Sequence, residues 1–111
     1  MLNKHSKIYV AGHKGLVGSA IIRRLKRKGY NNLIFKTSKE LDLRDQNKVL
    51  RFLKKHKPDF IFIAAAKVGG IFSNNNYKAN FIYDNLAIQT NLIHSAFLSG
   101  VKNLIFLGSS C

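Results

Sequence analysis

Gly12, Gly15 and Gly18 recur at a spacing of three between a short apolar run, Ile8-Tyr9-Val10-Ala11, and an amphipathic one that starts at Leu16. The apolar run fits a buried strand, read here from Lys7 to Ala11. The amphipathic segment predicts a helix over 16–28. Its inner stripe is Val17, Ala20, Ile21 and Leu25, and Gly29 stands where a C-terminal glycine cap belongs. A chain that passes from strand to helix through glycines makes a tight turn. There the backbone can be approached closely and the first helical amides are free. Very few folds place such a turn directly behind the first strand.

The pattern continues as strands and helices in alternation. Leu33-Ile34-Phe35-Lys36 is a second strand, and Glu40 to Leu43 is a short third strand or an extended loop. Asp45 fits a helix N-cap, with Val49, Leu50, Phe52 and Leu53 at helical spacing up to His56. After the break at Lys57-Pro58-Asp59, Phe60 to Ala65 is apolar throughout, as in a strand covered on both faces. Val68 to Lys78 is rich in Gly and Asn and reads as a loop. Ala79 to Leu98 is the longest helix. One apolar row holds Phe81, Leu92 and Ala96, and a second holds Ile82, Leu86, Ile93 and Phe97. Gly100 ends it, and Leu104 to Leu107 is the last strand. At 111 residues there is room for one core. The expected fold is α/β, a Rossmann-like doubly wound parallel sheet in the order β-α-β-β-α-β-α-β.

The net charge of +14 admits two readings. One is a polyanion partner such as nucleic acid. The other is a lysine-rich surface, and placement favours it. Arg23, Arg24, Lys26, Arg27 and Lys28 end the first helix, and Lys54, Lys55 and Lys57 end the second, where cations complement the helix dipole. No interleaving of basic and aromatic residues suggests a nucleic-acid surface. No apolar run approaches the roughly 18 residues of a membrane span, and the N-terminus lacks the apolar stretch of a signal peptide. The lone Cys111 fits a reducing, cytoplasmic setting. His5, His13, His56 and His94 show no metal-ligand spacing.

The glycine turn is therefore the better anion site. A strand before it and a helix after it suit a dinucleotide pyrophosphate, to which Lys14 adds a charge. The second strand ends in Lys36-Thr37-Ser38-Lys39, with no carboxylate before Glu40. Lysines and hydroxyls there suit a 2′-phosphate, hence NADP rather than NAD. Asp42, or the backbone beside it, is placed to meet an adenine edge. The small residues Ala64-Ala65-Ala66-Lys67-Val68-Gly69-Gly70 follow a strand, at the edge where open parallel sheets bind ligands. Gly108-Ser109-Ser110-Cys111 lies at the same edge of the last strand. A hydroxyl there can hydrogen-bond a substrate oxygen and a thiol can move a proton, although a turn of small residues is the plainer reading.

Together, Gly12-His13-Lys14-Gly15-Leu16-Val17-Gly18-Ser19-Ala20, Ala64 to Ile71, Phe81-Ile82-Tyr83 and Leu107-Gly108-Ser109-Ser110-Cys111 resemble the GDP-L-fucose synthase family, extended short-chain dehydrogenase/reductases. The resemblance covers essentially the whole chain. It implies 3,5-epimerisation and NADPH-dependent 4-reduction of GDP-4-dehydro-6-deoxy-D-mannose. The cofactor would be bound by Gly12, His13, Lys14, Gly15, Leu16, Val17 and Gly18, and its adenosine half by Ser38, Lys39, Glu40, Leu41, Asp42 and Leu43. Ala65 and the run Leu107, Gly108, Ser109 and Ser110 would complete the cofactor site. Ser109 matches the family's catalytic serine, and Cys111 its acid/base cysteine. The resemblance also implies a homodimer packed through the long helix.

Two departures stand out. The family often has arginines where this chain has Lys14 and Ser38, which loses a bidentate fork at one position and a charge at the other. The family's Tyr-x-x-x-Lys pair and nucleotide-sugar domain would lie beyond Cys111, so residues 1–111 correspond to a truncated NAD(P)-binding domain that is inactive alone. The rival readings are another extended nucleotide-sugar epimerase or dehydratase, and a non-catalytic dinucleotide-binding module.

Overall fold

The computed structural model describes residues 3–64, 75–101 and 103–106. Four parallel strands, β1 (Ile8–Ala11), β2 (Leu33–Ile34), β3 (Phe60–Ile63) and β4 (Asn103–Phe106), lie in the order β2-β1-β3-β4. Helices α1 (Leu16–Arg27), α2 (Gln46–His56) and α3 (Asn75–Ser99) form the crossovers.

Alternation along the strands assigns the two faces. Ile8 and Val10 of β1 point to one side and pack with Ile22 and Leu25 of α1. Tyr9 and Ala11 point to the other, where they join Ile61 and Ile63 of β3, Val49 and Leu53 of α2, and Ile88, Leu92 and Ala96 of α3. The Tyr9 ring meets Phe52 of α2 at 4.9 Å between centroids. With α1 on one face and α2 and α3 on the other, this is the doubly wound arrangement that the alternation predicts. The strand order reverses between β1 and β3, so the crevice beyond their carboxyl ends is where such sheets bind ligands.

Several expectations need correction. The order is β-α-β-α-β-α-β among the described residues: 40–43 form no strand. Two turns occupy that stretch instead, tied by the Glu40 and Leu41 amides donating to the Thr37 carbonyl at 3.0 and 2.8 Å and by the Asp45 amide donating to Asp42 at 3.0 Å. Leu41 turns inward to the core, and Asn91 of α3 donates from Nδ2 to the Leu43 carbonyl at 2.9 Å, which pins the loop. The α1 stripe is also rotated from its expected position. Gly18, Ile22 and Leu25 are buried, while Val17 and Ala20 are exposed. Gly18 sits so close to the turn below it that only this rotation is open to the helix. Finally, α3 begins at Asn75, so 75–78 are helical rather than loop. Of its two rows, Leu92 and Ala96 are buried, whereas Leu86, Ile93 and Phe97 are exposed.

The loop-to-helix signals behave as the residues suggest. The Asp45 carboxylate accepts from the Lys48 amide at 3.2 Å and caps α2. At the other end of that helix Lys57 takes a left-handed conformation, φ +44°, and closes it on the Leu53 carbonyl.

Candidate functional site: a glycine turn beside the end of the second strand

The carboxyl end of β1 runs into Gly12, whose φ of +90° favours glycine. The Gly15 amide donates to the Gly12 carbonyl at 3.1 Å and closes the turn, and Gly15 is the N-cap of α1. No side chain caps this helix, in contrast to α2 under Asp45. The first amides of α1 are thus left for solvent or for a ligand at the positive end of the helix dipole.

The three glycines have different jobs. A Cβ on Gly18 would lie 1.9 Å from the Gly12 carbonyl oxygen and 2.6 Å from its carbon, so α1 packs directly on the turn there. A Cβ on Gly15 would lie 3.5 Å from the Gly12 oxygen, an ordinary contact. Nothing among the described residues forbids a side chain at Gly15, which faces a cavity.

That cavity has a volume of about 370 Å³. Gly12, His13, Lys14 and Gly15 form one wall. Ser38, Leu41, Asp42 and Leu43 line it from the other side, together with Lys36 and Thr37. Of the expected cofactor residues, Leu16, Val17 and Gly18 do not line it: Leu16 is 86% exposed on the outer side of the helix start, and Gly18 is buried beneath the turn. Lys39 and Glu40 also lie outside it. Arg44 and Ile88 line it and were given no role by the sequence reading. The Asp42-x-Arg44 spacing was a usable signal for the first. No local pattern marks Ile88, which α3 brings from far along the chain.

Each carboxylate near this cavity is occupied. Asp42 is gripped by Arg44, whose Nε and Nη2 donate to Oδ1 and Oδ2 at 3.1 Å each, and it also accepts the Arg44 amide at 3.0 Å. These bonds hold the carboxyl below its usual range. Glu40 folds back on its own turn, its Oε1 accepting from the Thr37 amide at 2.9 Å while its amide donates to Thr37 Oγ1 at 3.2 Å. The Thr37 amide, then the Thr37 hydroxyl, acts on the carboxyl and lowers its pKa. Glu40 therefore presents no carboxylate to the cavity that Lys14 and Lys36 line. The His13 ring packs on Phe35 at 4.9 Å, tying the glycine turn to the end of β2, and Lys26 Nζ stands 5.9 Å from the same ring.

Ala65, Leu107, Gly108, Ser109, Ser110 and Cys111 lie outside the described residues. The sheet register does align the strand ends that precede them. Ala11 pairs with Ile63, which pairs with Phe106, and the Ala64 amide donates to the Ala11 carbonyl at 2.9 Å. The chain leaves β1, β3 and β4 along one edge.

Residues 8–111 match the NAD dependent epimerase/dehydratase family. GDP-L-fucose synthase 1 of Arabidopsis thaliana is 59% identical over 111 residues, all of this chain and 34% of that protein. GDP-L-fucose synthase of Escherichia coli (strain K12) is 48% identical over 105 residues, 95% of this chain and 33% of that protein. Among solved structures, MlghC, a GDP-mannoheptose C4 reductase from Campylobacter jejuni with NADP bound, superposes with a TM-score of 0.92 at 46% identity, over 97% of this chain and 34% of its own. The chain spans about a third of the length of the curated relatives it matches.

Proposed function

We propose, for a chain that belongs to the NAD dependent epimerase/dehydratase family, that it is the cofactor-binding portion of a GDP-L-fucose synthase. The intact enzyme would epimerise GDP-4-dehydro-6-deoxy-D-mannose at C3 and C5 and reduce its C4 ketone. The observation that carries the cofactor half of this reading is the uncapped α1 start over a turn whose Gly15 leaves space on the cavity side. The names of the relatives support the substrate half.

The residues present fit NADPH. The Gly12–Gly15 turn and the α1 amides offer donors to a pyrophosphate, and the wall from Leu41 to Leu43 an adenosine site. Lys14 and Lys36 stand where a 2′-phosphate needs cations, while Lys39 lies outside the cavity. When bound, NADPH supplies the hydride that reduces a ketone. Two of this chain's own residues would share in the chemistry. Ser109 would hydrogen-bond the C4 oxygen, and Cys111 would move protons at the epimerised carbons. A thiol suits that role once its pKa approaches neutrality.

A homodimer, in a cytoplasmic setting, completes the proposal. The exposed row Leu86, Ile93 and Phe97, the last 78% exposed, offers α3 a partner surface. No helix among the described residues is long and apolar enough to cross a membrane. A second reading rests on the close match to a GDP-mannoheptose C4 reductase: the same reduction on a different GDP-sugar.

Titration of the intact protein tests the cofactor half. Replacing Lys14 and Lys36 together with alanine is expected to weaken NADPH at least about tenfold more than it weakens NADH, as befits lost partners of the 2′-phosphate. An equal loss for both nucleotides would remove the lysines from 2′-phosphate recognition. Ser109→Ala should lower kcat by roughly 10², the typical effect of losing one positioned donor. Unchanged turnover would take Ser109 out of the chemistry.

A further inference from the structure

A second cavity, of about 250 Å³, lies on the α2 side of the same loop. Lys36, Lys48 and Arg51 line it, with Glu40 as the one carboxylate among the described residues and Leu41 and Phe52 as its apolar part. Phe52 is wedged between Tyr9 and His56, with ring centroids 4.9 and 4.6 Å away, so this wall is firm. Glu40 is drawn into its own turn by Thr37; it attracts Lys36 through space but forms no ion pair with the three cations among the described residues. Among the described residues, Lys36, Lys48 and Arg51 form no ion pair and no side-chain hydrogen bond.

Lys48 sits in the first turn of α2, where the helix dipole disfavours a cation; no acidic residue shares that turn, and the nearby carboxylates Asp45 and Asp42 are engaged by the Lys48 amide and by Arg44. Three like charges around one hollow repel each other, and an anion in the hollow relieves that repulsion. Lys36 lines both this cavity and the larger one. One lysine cannot serve an anion in each at full strength.

We propose that this second cavity is an inhibitory anion site. It takes a small phosphate-bearing molecule through Lys36, Lys48 and Arg51, and its occupancy weakens NADPH by drawing Lys36 away. The inhibition rests on the NADPH reading above; the anion site does not.

Inorganic phosphate is the probe, added to the intact protein against chloride at matched ionic strength. Phosphate is expected to shift the NMR signal of the Arg51 side chain and to raise the NADPH Kd by about threefold or more. The K48Q/R51Q variant, changed only at exposed positions outside the cofactor cavity, should lose both responses and keep the parent NADPH Kd in phosphate-free buffer. A phosphate effect that survives in K48Q/R51Q places the ion in the cofactor cavity and overturns the proposal, as does a parent protein that does not respond. A protein that takes phosphate at Arg51 but never binds NADPH keeps the anion site and discards the cofactor reading with its inhibition.

Discussion

Gly18→Ala is expected to destabilise the protein by about 3 kcal/mol, against the sign that helix propensity alone gives. Alanine in place of glycine inside a helix ordinarily stabilises by up to about 1 kcal/mol. At Gly18, however, the new methyl would sit 1.9 Å from the Gly12 carbonyl oxygen and 2.6 Å from the carbonyl carbon. Neither is the far end of a flexible side chain. Gly12 is held by its own positive φ and by the hydrogen bond from Gly15, so α1 has to lift. Lifting separates Ile22 and Leu25 from Ile8 and Val10 and opens that face of the sheet. Overpacking of this kind costs about 1–3 kcal/mol even where neighbours can adjust. Urea denaturation at constant m-value reads the change directly. An alanine variant as stable as the parent would mean that α1 does not rest on the turn.

The same contact explains where sequence reasoning succeeded and where it stopped. Periodicity located the helices and the strands because burial on one face, or on both, is a local property of the chain. Asp45 was legible as a cap because its action spans three residues. The α1 stripe was misplaced by one position. Hydrophobicity favoured Val17 and Ala20, but it is Gly18 that packs directly on the turn, and it has no side chain for a hydropathy pattern to register. Residues 40–43 look like a strand because Leu41 and Leu43 alternate with charged residues. Their amides and carbonyls are instead spent on Thr37, Asp45 and Asn91, and only the last is distant in sequence. Most of the cavity was legible for a related reason: the glycine turn and the segment after β2 each carry a short-range signature. Ile88 does not, since it reaches the cavity through the packing of α3. Arg44 was within reach, as the bidentate grip on Asp42 is a two-residue contact.

Gly15→Val should behave in the opposite way to Gly18→Ala, and the pair separates structural glycines from a ligand-bearing one. Gly15 has φ −73° and ψ 169°, an extended conformation that a β-branched residue adopts readily. Among the described residues beyond its chain neighbours, its Cβ would meet the Gly12 oxygen at 3.5 Å, an ordinary contact, so the fold accommodates it. Stability should change by no more than about 1 kcal/mol, most of it from a poorer N-cap. Cofactor binding should fail by about a thousandfold or more, roughly 4 kcal/mol, because the isopropyl group occupies the side from which a pyrophosphate must approach the turn. Titration of the intact variant with NADPH, beside its urea denaturation curve, gives both numbers from one preparation. If Gly15→Val binds NADPH as the parent does, the pyrophosphate does not lie over this turn. The uncapped start of α1 is then an ordinary solvated helix end, and Lys14 and Lys36 lose the ligand that gave their convergence a purpose.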